Sequence, residues 1–335
     1  MGSRRPKTGK RGATHAQPTG PVEIPKAPRP PIQTAPTWLR VALPMVVAIA
    51  AFVTFLPTLE ADFVSWDDDK LFLNNKDYRG LGWPNLKWMF TETKMGHWQP
   101  LSWVTLGLDY TLYGMWPRGY HRTNMLLHAG CAVAFYFLAM RLLAYGNDTA
   151  PLRSRFGAQG DAAPAPSRRG PSHSQSAIGN PQSAIDTAPS RSRFGSGVQP
   201  FGVALRIAAA AAALFFALHP LRVESVAWVT ERRDLLSGLF FILSITAYLK
   251  SRTAERRRLL WYLGAVAVFI LSVLSKAWGM TIPAVLIVLD FYPLRRLGGR
   301  VREWLSPAAL WVWFEKLPFA VIAALTAVKA VRAQA

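Results

Sequence analysis

The feature that most limits this chain is the run WLRVALPMVVAIAAFVTFLPTL, Trp38 to Leu59. A helix crossing ~30 Å of hydrocarbon needs ~20 mostly apolar residues, because it rises ~1.5 Å per residue and lipid offers no partner to a bare amide. This run meets that length. Its prolines, Pro44 and Pro57, are tolerated where neighbouring helices cover the freed carbonyls. Further apolar runs follow at Thr123 to Tyr145, Phe201 to Leu218, Leu235 to Leu249, Leu259 to Ser275 and Trp278 to Tyr292, with a weaker one from Lys316 to Val331. The sequence therefore predicts an all-α polytopic membrane protein with about seven transmembrane helices. The alanine stretch from Ile207 to Ala213 suits close helix approach, since small side chains let backbones meet in lipid.

Between the runs the chain is strongly basic, with a net charge of +20. In a membrane protein lysine and arginine collect in cytoplasmic segments and meet anionic lipid, so lipid and not nucleic acid is the expected partner. Arg4, Arg5, Lys7, Lys10 and Arg11 lie before the first run. Arg153, Arg155, Arg168, Arg169, Arg191 and Arg193 lie between the second and third. KSRTAERRR follows the fourth and PLRRLGGRVREW the sixth. Alternating helices place all four clusters on one side. The expected topology is multi-pass in the cytoplasmic (inner) membrane with a cytoplasmic N-terminus. Residues 1–37 are proline-rich, basic and poor in large apolar side chains, and are expected to be a disordered cytoplasmic tail. Residues 38–335 form the membrane domain, interrupted by a low-complexity loop at 146–200 that is also expected to be disordered. The single cysteine, Cys131, lies inside an apolar run, so no disulfide framework is expected within the chain.

The segments on the other side carry the chemistry. After the first run comes FVSWDDDKLFLNN, with Asp67, Asp68 and Asp69 in a row. Like charges repel, so three together need solvent, a helix N-terminus to cap, or a function. The same loop, Glu60 to Arg122, holds GWPNLKWMF and HWQPLSWVTLGLDYTLYGMWP. Short amphipathic helices along the outer surface are expected there, over a cavity or as interfacial anchors. A second outward segment, HPLRVESVAWVTERRDLLSG, brings His219, Arg222, Glu224, Glu231, Arg232, Arg233 and Asp234 close to the hydrocarbon. Charges there must be paired, solvated or functional. A third turn holds Lys276 in SKAWG, where the ammonium either works or snorkels. Carboxylates, cations and an aromatic cover on one face suit an anionic, lipid-linked substrate. His97, His121 and His128 invite a metal, and the last two, seven residues apart, share a helix face. No accepted zinc spacing surrounds them, so no metal is predicted. A phosphate-binding glycine loop and a nucleophile elbow are both lacking, which disfavours a soluble nucleotide enzyme.

Several of these blocks also occur in a familiar order. The Asp-Asp pair is followed by HWQPLSW and then by Gly119, Tyr120, His121, Asn124, Leu126, Leu127 and His128 in GYHRTNMLLH. ALHPLRVESVAWVTERRDLLSGLF and SKAWGMTIPAVLIVLDFYPL come next. In these blocks the chain resembles the membrane domain of bacterial proteins that join a GT-C-type glycosyltransferase module to tetratricopeptide repeats. More distantly it resembles the animal transmembrane and tetratricopeptide-repeat O-mannosyltransferases. The resemblance covers Trp38 to Phe319 apart from 146–200. It implies transfer of a sugar from a polyprenyl-phosphate carrier to a protein or glycan hydroxyl on the extracytoplasmic face, with no cofactor beyond that donor. An acidic residue of the first outward loop acts at the acceptor in such enzymes; Asp67 and Asp68 match that block, while Asp69 sits where members vary.

The chemistry agrees with the resemblance. Attack by a hydroxyl needs a base, and a leaving phosphate needs cations. Asp67 or Asp68 is the expected catalytic residue. His219, Arg222, Glu224, Arg232, Arg233, Asp234 and Lys276 are the expected substrate and phosphate contacts. Members of that family continue into further spans and the repeats, whereas this sequence stops at AVKAVRAQA. Lys329 and Arg332 then lie at the outward end of the last run, against the positive-inside bias. The chain is accordingly expected to be a truncated or split copy, with the repeats on a separate partner. The alternative is a non-catalytic module that serves as a lipid-binding or partner scaffold.

Overall fold

The computed structural model describes Gly2 and residues 35–157, 202–298 and 301–334. Nearly all of the basic tail, and the 146–200 loop beyond Gly157, lie outside the described residues. In chain order the α-helices are α1 (Thr37–Thr54), α2 (Trp83–Thr91), α3 (Pro100–Tyr113), α4 (Pro117–Gly157), α5 (Val203–Leu218), α6 (Arg222–Ala227), α7 (Arg232–Thr253), α8 (Arg258–Ser275), α9 (Ile282–Phe291), α10 (Pro307–Phe314) and α11 (Leu317–Gln334).

The all-α membrane architecture is as the sequence predicts, but the count of seven full spans is not. Five described segments are long and apolar enough to cross a membrane: Thr37–Glu60, Pro117–Tyr145, Val229–Thr253, Arg258–Ser275 and Leu317–Gln334. Val203–Leu218 and Ala277–Phe291 are apolar helical segments of shorter length. The 16 residues of α5 reach roughly 24 Å, short of a bilayer core. The Ala277–Phe291 run is divided: Ala277–Thr281 is a 3-10 turn, and α9 starts with Pro283 in its first turn, where a missing N–H does no harm. It stops before Pro293, since the residue preceding proline disfavours the helical region.

Lipid supplies no hydrophobic drive between helices, so close packing and polar contacts decide the bundle. Over the apolar window of Val229–Thr253, 56% is buried inside the protein, against 11% for Leu317–Gln334, which makes α7 central and α11 peripheral. The α7–α8 seam is built from small polar residues. The Ser272 hydroxyl donates to the Ser237 carbonyl at 2.9 Å, and Ser244 to that of Ala265 at 2.8 Å. A second seam joins α1, α4 and α5 through Val47, Ala51, Ala132, Tyr136, Ala209 and Ala213. The alanine stretch is thus an interface, as its composition suggests.

One end of the bundle is capped by the first loop. A π-helical turn at Asp69–Leu73, α2 and α3 enclose an apolar cluster that includes Phe72, Tyr78, Met89, Trp103 and Tyr120. Gly107 lets α3 lie against the backbone of this cap: a Cβ there would come within 2.8 Å of the carbonyl oxygens of Tyr78 and Gly80. Trp66, Trp83 and Trp116 remain more than half exposed on its surface. That is the pattern of aromatic residues at a membrane–water interface.

The opposite end is clamped by charge. Asp290 in α9 is fully buried, pairs with Lys316 and Arg296, and accepts the Tyr248 hydroxyl at 2.7 Å. Glu315 holds Arg252, Arg258 and Arg296 at 2.7, 2.7 and 2.6 Å. Buried charges persist only when paired in this way.

Candidate functional site

The aspartate triplet divides by environment. Asp68 is fully buried. Its carboxylate accepts the Val64 amide at 3.0 Å, the Thr230 amide at 3.2 Å and the Thr230 hydroxyl. It therefore ties the cap to the Val229–Glu231 turn ahead of α7 and presents nothing to a ligand. Burial raises its pKa, and the bonds from Thr230 and Val64 only partly offset this. Asp67 is half-buried instead, and lies within electrostatic reach of His97. Asp69 opens the π-helical turn.

Around His97 the structure gathers a network. Glu231 accepts Arg233 at 2.5 Å and Lys276 at 2.9 Å. Lys276 also reaches Asp234 at 2.5 Å, and the Trp278 indole donates to Asp234 at 3.2 Å. Partial burial lowers the His97 pKa, the charges of Arg233 and Lys276 lower it further, and Glu231 and Asp67 oppose them. His97 is thus held neutral near pH 7. Its turn is closed by reciprocal amide bonds between Lys94 and His97 at 3.0 and 2.9 Å, with Gly96 at φ +73°. Ser102 in α3 donates to the Ser275 carbonyl at 3.0 Å, which docks HWQPLSW beside Lys276.

Arg232, expected at the phosphate, is elsewhere. It is fully buried, pairs with Asp109 at 2.6 Å, and donates to Asn124 at 2.8 Å and to the Tyr120 carbonyl at 2.9 Å. The reason is helical geometry: successive residues of α7 point about 100° apart, so Arg232 faces α3 and α4 while Arg233 turns to Glu231. Arg233 keeps one terminal nitrogen without a partner.

His219, Arg222 and Glu224 form a separate group at the α5–α6 turn. His219 accepts the Leu221 amide at 3.2 Å, Arg222 lies over the Phe216 ring at 4.6 Å, and Glu224 is exposed. Among the described residues no side-chain hydrogen bond or ion pair joins them to the Lys276 network. His128 bonds the Ala217 carbonyl at 2.9 Å, and His121 is buried in another place. Among the described residues no cluster of three or more His, Cys, Asp or Glu is placed to hold a metal.

Sequence reasoning singled out neither His97 nor Glu231 as a site residue, and it passed over Asp109 and the Asp290–Glu315 clamp. The available signal was acidic residues inside apolar stretches, GLDYTLY and VLDFYPL, where an unpaired charge is too costly to keep.

These features define a multi-pass all-α membrane protein with a polar site under a loop-built cap at one bundle end. The chain is distantly similar to animal protein O-mannosyl-transferases of the TMTC group. It is 28% identical to human Protein O-mannosyl-transferase TMTC4 over 269 residues, covering 76% of this chain and 29% of the relative. It is 26% identical to mouse TMTC2 over 268 residues, with 76% and 24% covered. It is 25% identical to Tmtc3 of Drosophila melanogaster over 266 residues, with the same coverage of 76% and 24%. The chain thus spans between 24% and 29% of the length of these curated relatives. No family model and no solved structure matches it.

Proposed function

We propose that this chain is the membrane part of a glycosyltransferase that moves a sugar from a polyprenyl-phosphate carrier to a protein or glycan hydroxyl. The reaction takes place on the extracytoplasmic face of the cytoplasmic membrane, with the N-terminus in the cytoplasm. The relatives are named for O-mannosyl transfer, so a mannosyl donor is the first to test. The observation that carries the reading is the half-buried Asp67 within electrostatic reach of His97, next to which the Glu231–Arg233–Lys276–Asp234 network is assembled.

In the reaction Asp67 accepts the proton of the acceptor hydroxyl. The hydroxyl oxygen bonds the anomeric carbon as the bond from that carbon to the phosphate oxygen breaks, and the lipid phosphate leaves. The unpartnered nitrogen of Arg233 and the ammonium of Lys276 supply positive charge for the leaving phosphate, and Glu231 holds both in place. Asp68 anchors the turn that carries Asp67.

Transfer from a polyprenyl-phosphate sugar by the purified protein tests this. Asp67→Asn is expected to lower kcat by at least about 100-fold, the usual worth of a positioned base. Asp68→Asn is expected to lower stability more than the chemical step. Full activity in Asp67→Asn removes the assignment. Absence of transfer by the wild type from every such donor supports the scaffold reading. Sidedness is read by labelling Ser65→Cys with an impermeant thiol reagent in intact cells. The native Cys131 is 3% exposed and contributes little background.

A further inference from the structure

The cap end holds a cation that the chemistry above does not use. Lys329 sits near the end of α11, where the positive-inside tendency disfavours it. Its only described partner is the Trp98 ring, 5.5 Å from the ammonium, and among the described residues no carboxylate pairs with it. It lines a cavity of about 160 Å³ together with Gly96, His97, Trp98, Lys276 and Trp278. The charge balance there is informative. Lys276 is matched by Glu231 and Asp234, and Arg233 by Glu231, so two cations meet two carboxylates. Lys329 is the cavity-lining cation that no carboxylate among the described residues matches, and it offers its side of the cavity to an anion. The aromatic walls are fixed: the Trp98 indole donates to the Phe90 carbonyl at 2.9 Å, and that of Trp278 to Asp234 at 3.2 Å. Their ring faces offer apolar surface next to the cation. A ligand that satisfies both carries a phosphate and a hydrocarbon chain. His97 lines this cavity and lies within electrostatic reach of Asp67, so an anion seated here shares the cap end with the proposed base.

We propose that this cavity seats the phosphate of a lipid phosphate, with Lys329 as its charged contact and Trp98 and Trp278 flanking the first carbons of the chain. The inference rests on the transferase reading and names a donor contact that the reading did not include.

The test is binding to the purified full chain in detergent by native mass spectrometry, with farnesyl phosphate, farnesol and inorganic phosphate as probes. Lys329→Gln is expected to weaken farnesyl phosphate about tenfold, the loss of one charge-assisted bond, and Lys329→Arg to restore most of it. Arg332→Gln, at an exposed position on the same helix, is expected to stay within about twofold of wild type, as exposed charges do. Farnesol and inorganic phosphate, each lacking one half of the ligand, are expected to bind at least about tenfold more weakly than farnesyl phosphate. Equal binding by wild type and Lys329→Gln overturns the site. Equal loss in Arg332→Gln overturns it too, by showing general surface charge, and inorganic phosphate binding as tightly as farnesyl phosphate overturns the lipid assignment. The two readings fail separately. Binding that depends on Lys329 in a protein that transfers nothing refutes the transferase alone, while transfer with binding indifferent to Lys329 refutes this site alone.

Discussion

Replacing Asp109 by leucine separates a structural Arg232 from a ligand-binding one. Arg232 is 0% exposed, and Asp109, at 2.6 Å, is its counter-charge. Asp109→Leu strands a guanidinium away from water. Its remaining partners, Asn124 at 2.8 Å and the carbonyls of Tyr120 at 2.9 Å and Thr105 at 3.3 Å, are dipoles and do not neutralise it. Removing one member of a buried ion pair costs about 3–5 kcal/mol. At roughly 2–4 °C per kcal/mol for a chain somewhat smaller than this one, the apparent Tm in detergent falls on the order of 10 °C. The double variant Asp109→Leu with Arg232→Met replaces the pair by apolar groups of similar size, which is often close to neutral. It is expected to recover most of the loss. Thermal unfolding followed by circular dichroism at matched detergent and lipid gives all three values. The same samples are then tested for farnesyl phosphate binding, which the double variant should retain. A double variant no more stable than Asp109→Leu would refute the ion-pair argument. One that folds but no longer binds the lipid phosphate would return Arg232 to the site.

Further expectations concern the cap and the opposite end. Gly107→Ala puts a Cβ 2.8 Å from two carbonyl oxygens and is expected to cost about 1–3 kcal/mol, whereas Gly130→Ala, with nothing within 4 Å, is expected to be neutral or slightly stabilising; paired melts decide. Thr230→Val removes the hydroxyl that Asp68 accepts in the buried turn and is expected to cost about 1–3 kcal/mol, read in the same assay. Burial pushes the Glu315 carboxyl up, but the bonds and charges of Arg252 and Arg296 outweigh it, so its folded pKa lies below 4.5. Between the folded value and 4.5 the unfolded chain binds more protons. The stabilisation is therefore complete above 4.5 and lost as pH falls through the folded value, and Glu315→Gln should flatten that part of the stability profile.

Much of the bundle was legible because hydropathy is a local property: a run of apolar residues either matches the bilayer or does not. The seven predicted runs all became helical segments, and only five proved long enough, since Pro283 and Pro293 cut α9 to 10 residues and α5 stops at 16. The polar site was legible only as a set of segments. Asp67, Arg233, Asp234 and Lys276 were all named, yet their grouping depends on which way each side chain turns.

The amino-acid order alone determined the all-helical membrane class, the aromatic outer loop and the three segments that meet at the cap. Neighbouring residues with the same formula were indistinguishable at that level. Asp67 and Asp68 read alike, as did Arg232 and Arg233. Only the folded chain separated them, because a charge acquires its role from the partner within a few ångströms. Asp68 turns to Thr230 and Arg232 to Asp109, both out of reach of water. Their neighbours, rotated about 100° along the helix or one step along the turn, meet other surroundings: Arg233 pairs with Glu231, and Asp67 stays half-buried.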